Sequence, residues 1–121
     1  MTAIAIVDDD ELVRRALSRL VSSLSFQAIA YSSAEAFLLE VKDRLPFAAL
    51  IDLHLPGMTG LELLEELRRR NIQLRVIVIT GSEQEGTRAR CLQAGAAVFL
   101  NKPVSRDALG DAIGPLGELT P

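Results

Sequence analysis

The chain has 121 residues, 49% of them hydrophobic, with 13 Lys and Arg against 16 Asp and Glu and a formal net charge of −3. That size describes one domain burying roughly two thirds of its unfolded surface, and a single cysteine excludes a disulfide framework. The slight acidity leaves no broad basic footprint for direct nucleic-acid binding, no apolar run is long enough to span a bilayer, and the first residues enter a strand without a basic leader; a soluble cytoplasmic domain is expected.

The predicted elements alternate strand and helix. β1 covers residues 3–7 and α1 residues 11–24, where Leu17, Leu20, Val21 and Leu24 share one face and Arg14, Arg15, Ser18 and Arg19 lie elsewhere. Asp10 adjoins α1 as its cap. β2 covers residues 26–31, and α2 follows a Ser32-Ser33-Ala34-Glu35 capping box to about residue 43. Pro46 separates it from β3, residues 47–52. The loop LHLPGMTG leads into α3, which runs from a Thr59–Glu62 capping box to Arg68, Arg69 and Arg70, cations favoured at a helix carboxyl end. β4 covers residues 74–80, Ser82 caps α4 over residues 83–94, and Gly95 ends it. Gly86 weakens the first turns of α4 by about 1 kcal/mol relative to Ala, and Cys91 reads as a small packed hydrophobe. β5 covers residues 97–101. α5 starts near Ser105 and stops by Gly114-Pro115, with Gly110 and Gly117 making it short and irregular.

Apolar, largely β-branched strands between helices specify a parallel sheet covered on both faces. In such sheets ligands bind beyond the carboxyl ends of the strands, where the strand order reverses. Four of these runs stop at residues suited to phosphoryl chemistry: Asp8 and Asp9 after AIAIV, Asp52 after AALI, Thr80 after RVIVI, and Lys102 after AVFLN. Singly, each has an ordinary explanation as a helix cap, a turn acid, a strand end or a loop cation. Together, at four strand ends, they describe one site. Two carboxylates ~4 Å apart repel by about 1 kcal/mol in water, or about 4 at an effective dielectric of 20. Such a cluster wants a hard divalent cation, Mg²⁺ or Mn²⁺, which takes oxygen ligands.

The segments IVDDDELVRRAL, DLHLPGMTGLELL, VIVITG and FLNKP, in this order and spacing, resemble the receiver domain of a bacterial two-component response regulator, and SAEAFL resembles its FixJ-like subfamily. The resemblance covers residues 1–121, with the last few a candidate start of a linker. It implies a flavodoxin-like (βα)5 doubly wound α/β fold of strand order 2-1-3-4-5 in a single domain. It implies Asp52 as phosphoacceptor, supplied by a sensor histidine kinase or a histidine phosphotransfer protein. Asp9, Asp52 and the backbone carbonyl of His54 are the implied Mg²⁺ ligands, with Asp8 acting largely through water. Lys102 and Thr80 are implied to meet the phosphoryl oxygens. Phe99 matches the switch aromatic, turning into space that Thr80 vacates, and the Lys102-Pro103 bond matches the cis peptide of the family. The implied output is a change in the α4-β5-α5 face toward homodimerisation or partner binding, with transcription regulated through another domain. The domain assists its own phosphorylation and dephosphorylation, but as the substrate rather than a turnover enzyme. The His54 side chain is expected at the mouth of the site.

Two other chemistries fit less well. A metal-dependent phosphohydrolase of the haloacid dehalogenase type resembles Asp-x-Asp after its first strand, whereas Leu53 and His54 follow Asp52. Flavin binding asks for a Gly, Ser and Thr-rich loop after β1, where this chain places acids that repel phosphate. The strongest rival is a degenerate receiver acting as a phosphorylation-independent interaction module, and the intact set Asp8, Asp9, Asp52, Thr80 and Lys102 argues against it.

Overall fold

The computed structural model describes residues 2–114. Strands β1 (Ala3–Val7), β2 (Gln27–Tyr31), β3 (Ala48–Asp52), β4 (Arg75–Thr80) and β5 (Val98–Asn101) form one parallel sheet in the order β2-β1-β3-β4-β5. This is the parallel sheet, covered on both faces, that the apolar runs predict, in the doubly wound, flavodoxin-like order that the family resemblance implies. Side chains alternate across a strand, so neighbouring residues feed opposite cores. Ala5, Val7, Ile51 and Val78 pack toward α2 (Ala34–Glu40), α3 (Gly60–Arg69) and α4 (Thr87–Gln93), meeting Phe37, Leu63, Leu67 and Cys91. Ile4, Ile6, Leu50, Ile77 and Ile79 pack toward α1 (Glu11–Ser23) and α5 (Arg106–Ile113), meeting Leu17, Val21, Leu109 and Ile113. Double coverage is why every residue of β3 is buried.

β1 pairs with β2 on one side and β3 on the other, so the winding direction reverses between β1 and β3. Asp8 and Asp9 follow β1, and Asp52 closes β3. The carboxylates therefore stand at the switch point. Among the described residues no helix is long and apolar enough to cross a membrane.

The helix starts divide into matches and corrections. Asp10 caps α1, accepting from Leu12 N at 2.8 Å and Val13 N at 3.4 Å. The Thr59–Glu62 box on α3 is formed in both directions. The box expected on α2 is not. Ser33, not Ser32, is the cap, accepting from Ala36 N at 3.0 Å, while the Glu35 carboxylate reaches across to Met58 N at 3.1 Å. The largest correction is α4, which starts at Thr87 rather than residue 83. Gly86 sits at φ +82, a left-handed conformation that no α-helix continues through, and Ser82 does not cap the helix. α5 begins after its Ser105 cap and closes at Gly114, with φ +88. The readings placed on Pro115, on Gly117 and on the last few residues lie outside the described residues.

Candidate functional site

Asp8, Asp9 and Asp52 each offer a carboxylate oxygen, and these atoms lie within 4.8 Å of one another. Asp8 and Asp52 are only 2% and 7% exposed, while Asp9 faces solvent. β5 brings up the neutralising charge. Lys102 Nζ donates to Asp8 Oδ2 at 3.0 Å and lies 3.5 Å from Asp52 Oδ1. One ammonium thus stands against three carboxylates. The deficit of positive charge and the all-oxygen donor set suit a hard divalent cation.

Electrostatics follow from that arrangement. Burial first, and the Asp8 charge second, raise the Asp52 carboxyl above its ordinary range, against the lowering pull of Lys102 and of the His54 amide. Burial alone lowers the Lys102 ammonium, but the hydrogen bond to Asp8 and the charges of Asp52 and Asp8 outweigh it, and the group is raised overall. Lys102 therefore stays charged.

Thr80, Lys102 and His54 connect the loops around the carboxylates. Thr80 is fully buried, and its hydroxyl donates to the Ser82 carbonyl at 2.8 Å rather than pointing at an aspartate. The Ser82 amide returns a bond to Thr80 Oγ1 at 3.1 Å. Lys102 N donates to Thr80 O at 2.7 Å, and the Lys102-Pro103 peptide is cis. His54 N donates to Asp52 Oδ1 at 3.4 Å, and the ring lies exposed at the mouth of the site, Nε2 3.1 Å from the Ser82 carbonyl. Phe99 stands apart from this group. It is 5% exposed, packed in the core shared with α3 and α4, and the Arg88 guanidinium lies 4.8 Å from its ring centroid. Any movement of Phe99 starts from inside. Cys91 is the buried residue of α4 itself, and burial raises its thiol.

Three supporting contacts escaped the sequence. Arg14 Nη1 donates to the Asp8 carbonyl at 2.8 Å and holds the β1-α1 loop from the far side of the first helical turn. Glu35 anchors the β3-α3 loop at Met58. Gly60 lets α3 approach the end of the strand that carries Asp52. A Cβ there would lie 2.6 Å from the Asp52 carbonyl oxygen and 2.8 Å from Leu53 Cα. Only the last left a signal, a glycine at the head of a capped helix.

Comparison with known proteins agrees with this geometry. Residues 4–114 match the family model described as the response regulator receiver domain. Nodulation protein W of Bradyrhizobium diazoefficiens is 34% identical over 108 residues, covering 89% of this chain and 48% of that protein. Response regulator GacA of Pseudomonas protegens is 32% identical over 115 residues, covering 93% of this chain and 54% of that protein. The chain thus spans about half the length of these curated relatives. Among solved structures, FixJ-N is similar with a TM-score of 0.86 and 34% identity, over 93% of this chain and 90% of that one.

Proposed function

The chain belongs to the response regulator receiver domain family, and from that premise we propose that Asp52 is the phosphoacceptor of a two-component phosphorelay. Receiver domains are signalling domains rather than turnover enzymes. In this reading residues 1–121 form one receiver unit acting in the cytoplasm. A sensor histidine kinase or histidine phosphotransfer protein supplies the phosphoryl group. An Asp52 oxygen attacks phosphorus, the P–N bond of the phosphohistidine breaks with its electron pair going to the imidazole, and an acyl phosphate forms. Water later attacks the same phosphorus and releases the carboxylate.

The observation that carries the proposal is Lys102 Nζ placed between Asp8 and Asp52 at the switch point of the sheet. Held 3.5 Å from Asp52 Oδ1, it offers a fixed charge to the transferring group, as a loose metaphosphate-like transition state requires. Asp9, Asp52 and the His54 backbone carbonyl would hold Mg²⁺ or Mn²⁺, with Asp8 acting through water. When bound, that cation supplies charge neutralisation for the phosphoryl oxygens. Thr80 then exchanges its Ser82 partner for a phosphoryl oxygen, and the change spreads to α4, β5 and α5, where homodimerisation or an output domain reads it. Transcriptional output in the rest of the protein is the matching expectation.

The test is intact mass after incubation with acetyl phosphate and Mg²⁺. One phosphoryl group, labile at alkaline pH, is expected on the parent protein and none on Asp52→Asn. An Asp52→Asn chain that gains the same mass refutes the assignment. A chain that never gains it, with the metal present, favours the degenerate-receiver reading.

A further inference from the structure

In the loop between β4 and α4, one backbone oxygen meets two side chains. The Ser82 carbonyl accepts the Thr80 hydroxyl at 2.8 Å and lies 3.1 Å from His54 Nε2. A carbonyl oxygen only accepts, so the second contact is a hydrogen bond with the proton on Nε2. Both lone pairs of the carbonyl are then occupied. His54 itself belongs to the loop that carries Asp52, and its own N–H points at Asp52 Oδ1. The ring therefore ties the nucleophile's loop to the loop that begins the path to α4.

The two donors are not equivalent. Thr80 has a single hydroxyl proton, which it cannot give to Ser82 and to a phosphoryl oxygen at once. Drawing Thr80 away leaves the Ser82 carbonyl on His54 alone. We propose that His54 is a positioning residue, a second anchor that holds the β4-α4 loop against the Asp52 loop and restrains it when Thr80 changes partner. The restraint during the switch rests on the reading of Asp52 as phosphoacceptor. The anchor in the resting protein does not.

Amide hydrogen exchange on the full chain, with and without beryllofluoride and Mg²⁺, separates the two. His54→Phe keeps a ring at this exposed position and removes the donor, whereas His54→Gln restores an N–H. In the resting protein His54→Phe is expected to exchange the amides of residues 82–87 about three- to tenfold faster, the loss of one net hydrogen bond. His54→Gln stays within about twofold of the parent. Combining His54→Phe with Thr80→Val accelerates exchange by more than the product of the single effects, because both donors share one acceptor. With beryllofluoride, His54→Phe shows a larger change over residues 82–87 than the parent. Equal resting exchange in His54→Phe and the parent overturns the anchor, as does a His54→Gln protein that behaves like His54→Phe. Faster resting exchange in His54→Phe with no beryllofluoride response in any protein upholds the anchor and removes the phosphoacceptor reading instead.

Discussion

Asp52 is the residue whose environment conflicts most with its charge. Its raised carboxyl means that the folded protein keeps the Asp52 proton to higher pH than the unfolded chain does. Stability therefore falls as pH climbs from the ordinary aspartate value of about 3.9 to the raised one, and the penalty persists above it. Asn has no proton to lose. In metal-free protein at pH 7, Asp52→Asn is expected to raise the melting temperature by a few degrees, about 1 kcal/mol being worth roughly 3–6 °C in a domain this size. The gain should fade as pH drops through the raised value and be gone near about 4. Calorimetry in EDTA across that range checks it, and a variant less stable than the parent at pH 7 shows that Lys102 outweighs both burial and Asp8. Asp9 is the complementary case, since it is exposed and carries no core contact. Asp9→Ala is expected to abolish saturable Mg²⁺ binding in a titration while leaving the melting temperature within about 3 °C, a surface substitution usually being worth no more than ~0.5 kcal/mol. Unchanged Mg²⁺ affinity would place the metal elsewhere.

At the scale of elements, the strands were legible and the loops were not. A strand buried on both faces has to be apolar throughout, so AIAIV, AALI and RVIVI announced themselves, as did the polar residue that ended each. The contacts that organise the site run instead to backbone atoms: Arg14 to the Asp8 carbonyl, Glu35 to Met58 N, and Thr80 and His54 to the Ser82 carbonyl. Backbone atoms carry no sequence signal, and their positions depend on loop paths that only the assembled sheet fixes. The start of α4 failed for a related reason. Ser82 followed by two glutamates has a helix-start composition, but its backbone is committed to Thr80 and His54. Gly86 decides between the two readings by sign. Inside a helix, Gly→Ala stabilises by about 1 kcal/mol. At φ +82 the same change costs roughly 1–2 kcal/mol, although a Cβ there meets nothing within 4 Å. Gly86→Ala is thus expected to lower the melting temperature by several degrees, and a rise would restore the longer helix.

At the scale of the whole molecule, a phosphoryl group on one strand end matters only if it moves an equilibrium that reaches α4 and β5. Shifting a population from 1:99 to 99:1 takes about 5.5 kcal/mol of differential interaction. A hydrogen bond from Thr80 to a charged phosphoryl oxygen is worth roughly 1.5–3 kcal/mol, and forming it breaks the existing bond to Ser82. Thr80 alone therefore falls short, and Lys102 with the bound cation has to contribute the rest. The molecule is connected for such sharing. Lys102 N is bonded to Thr80 O across β4 and β5, while Arg88 of α4 covers Phe99 of β5 and pairs with Glu83 at 3.1 Å. Thr80→Ala is accordingly expected to accept a phosphoryl group at Asp52 but to respond only in part. With beryllofluoride and Mg²⁺, its amide exchange or NMR shifts over residues 82–104 should move by less than in the parent and by more than zero. A full response would take Thr80 out of the coupling and leave Lys102 and the metal to carry it, whereas a Thr80→Ala protein with no response at all would make the hydroxyl indispensable and refute the shared mechanism.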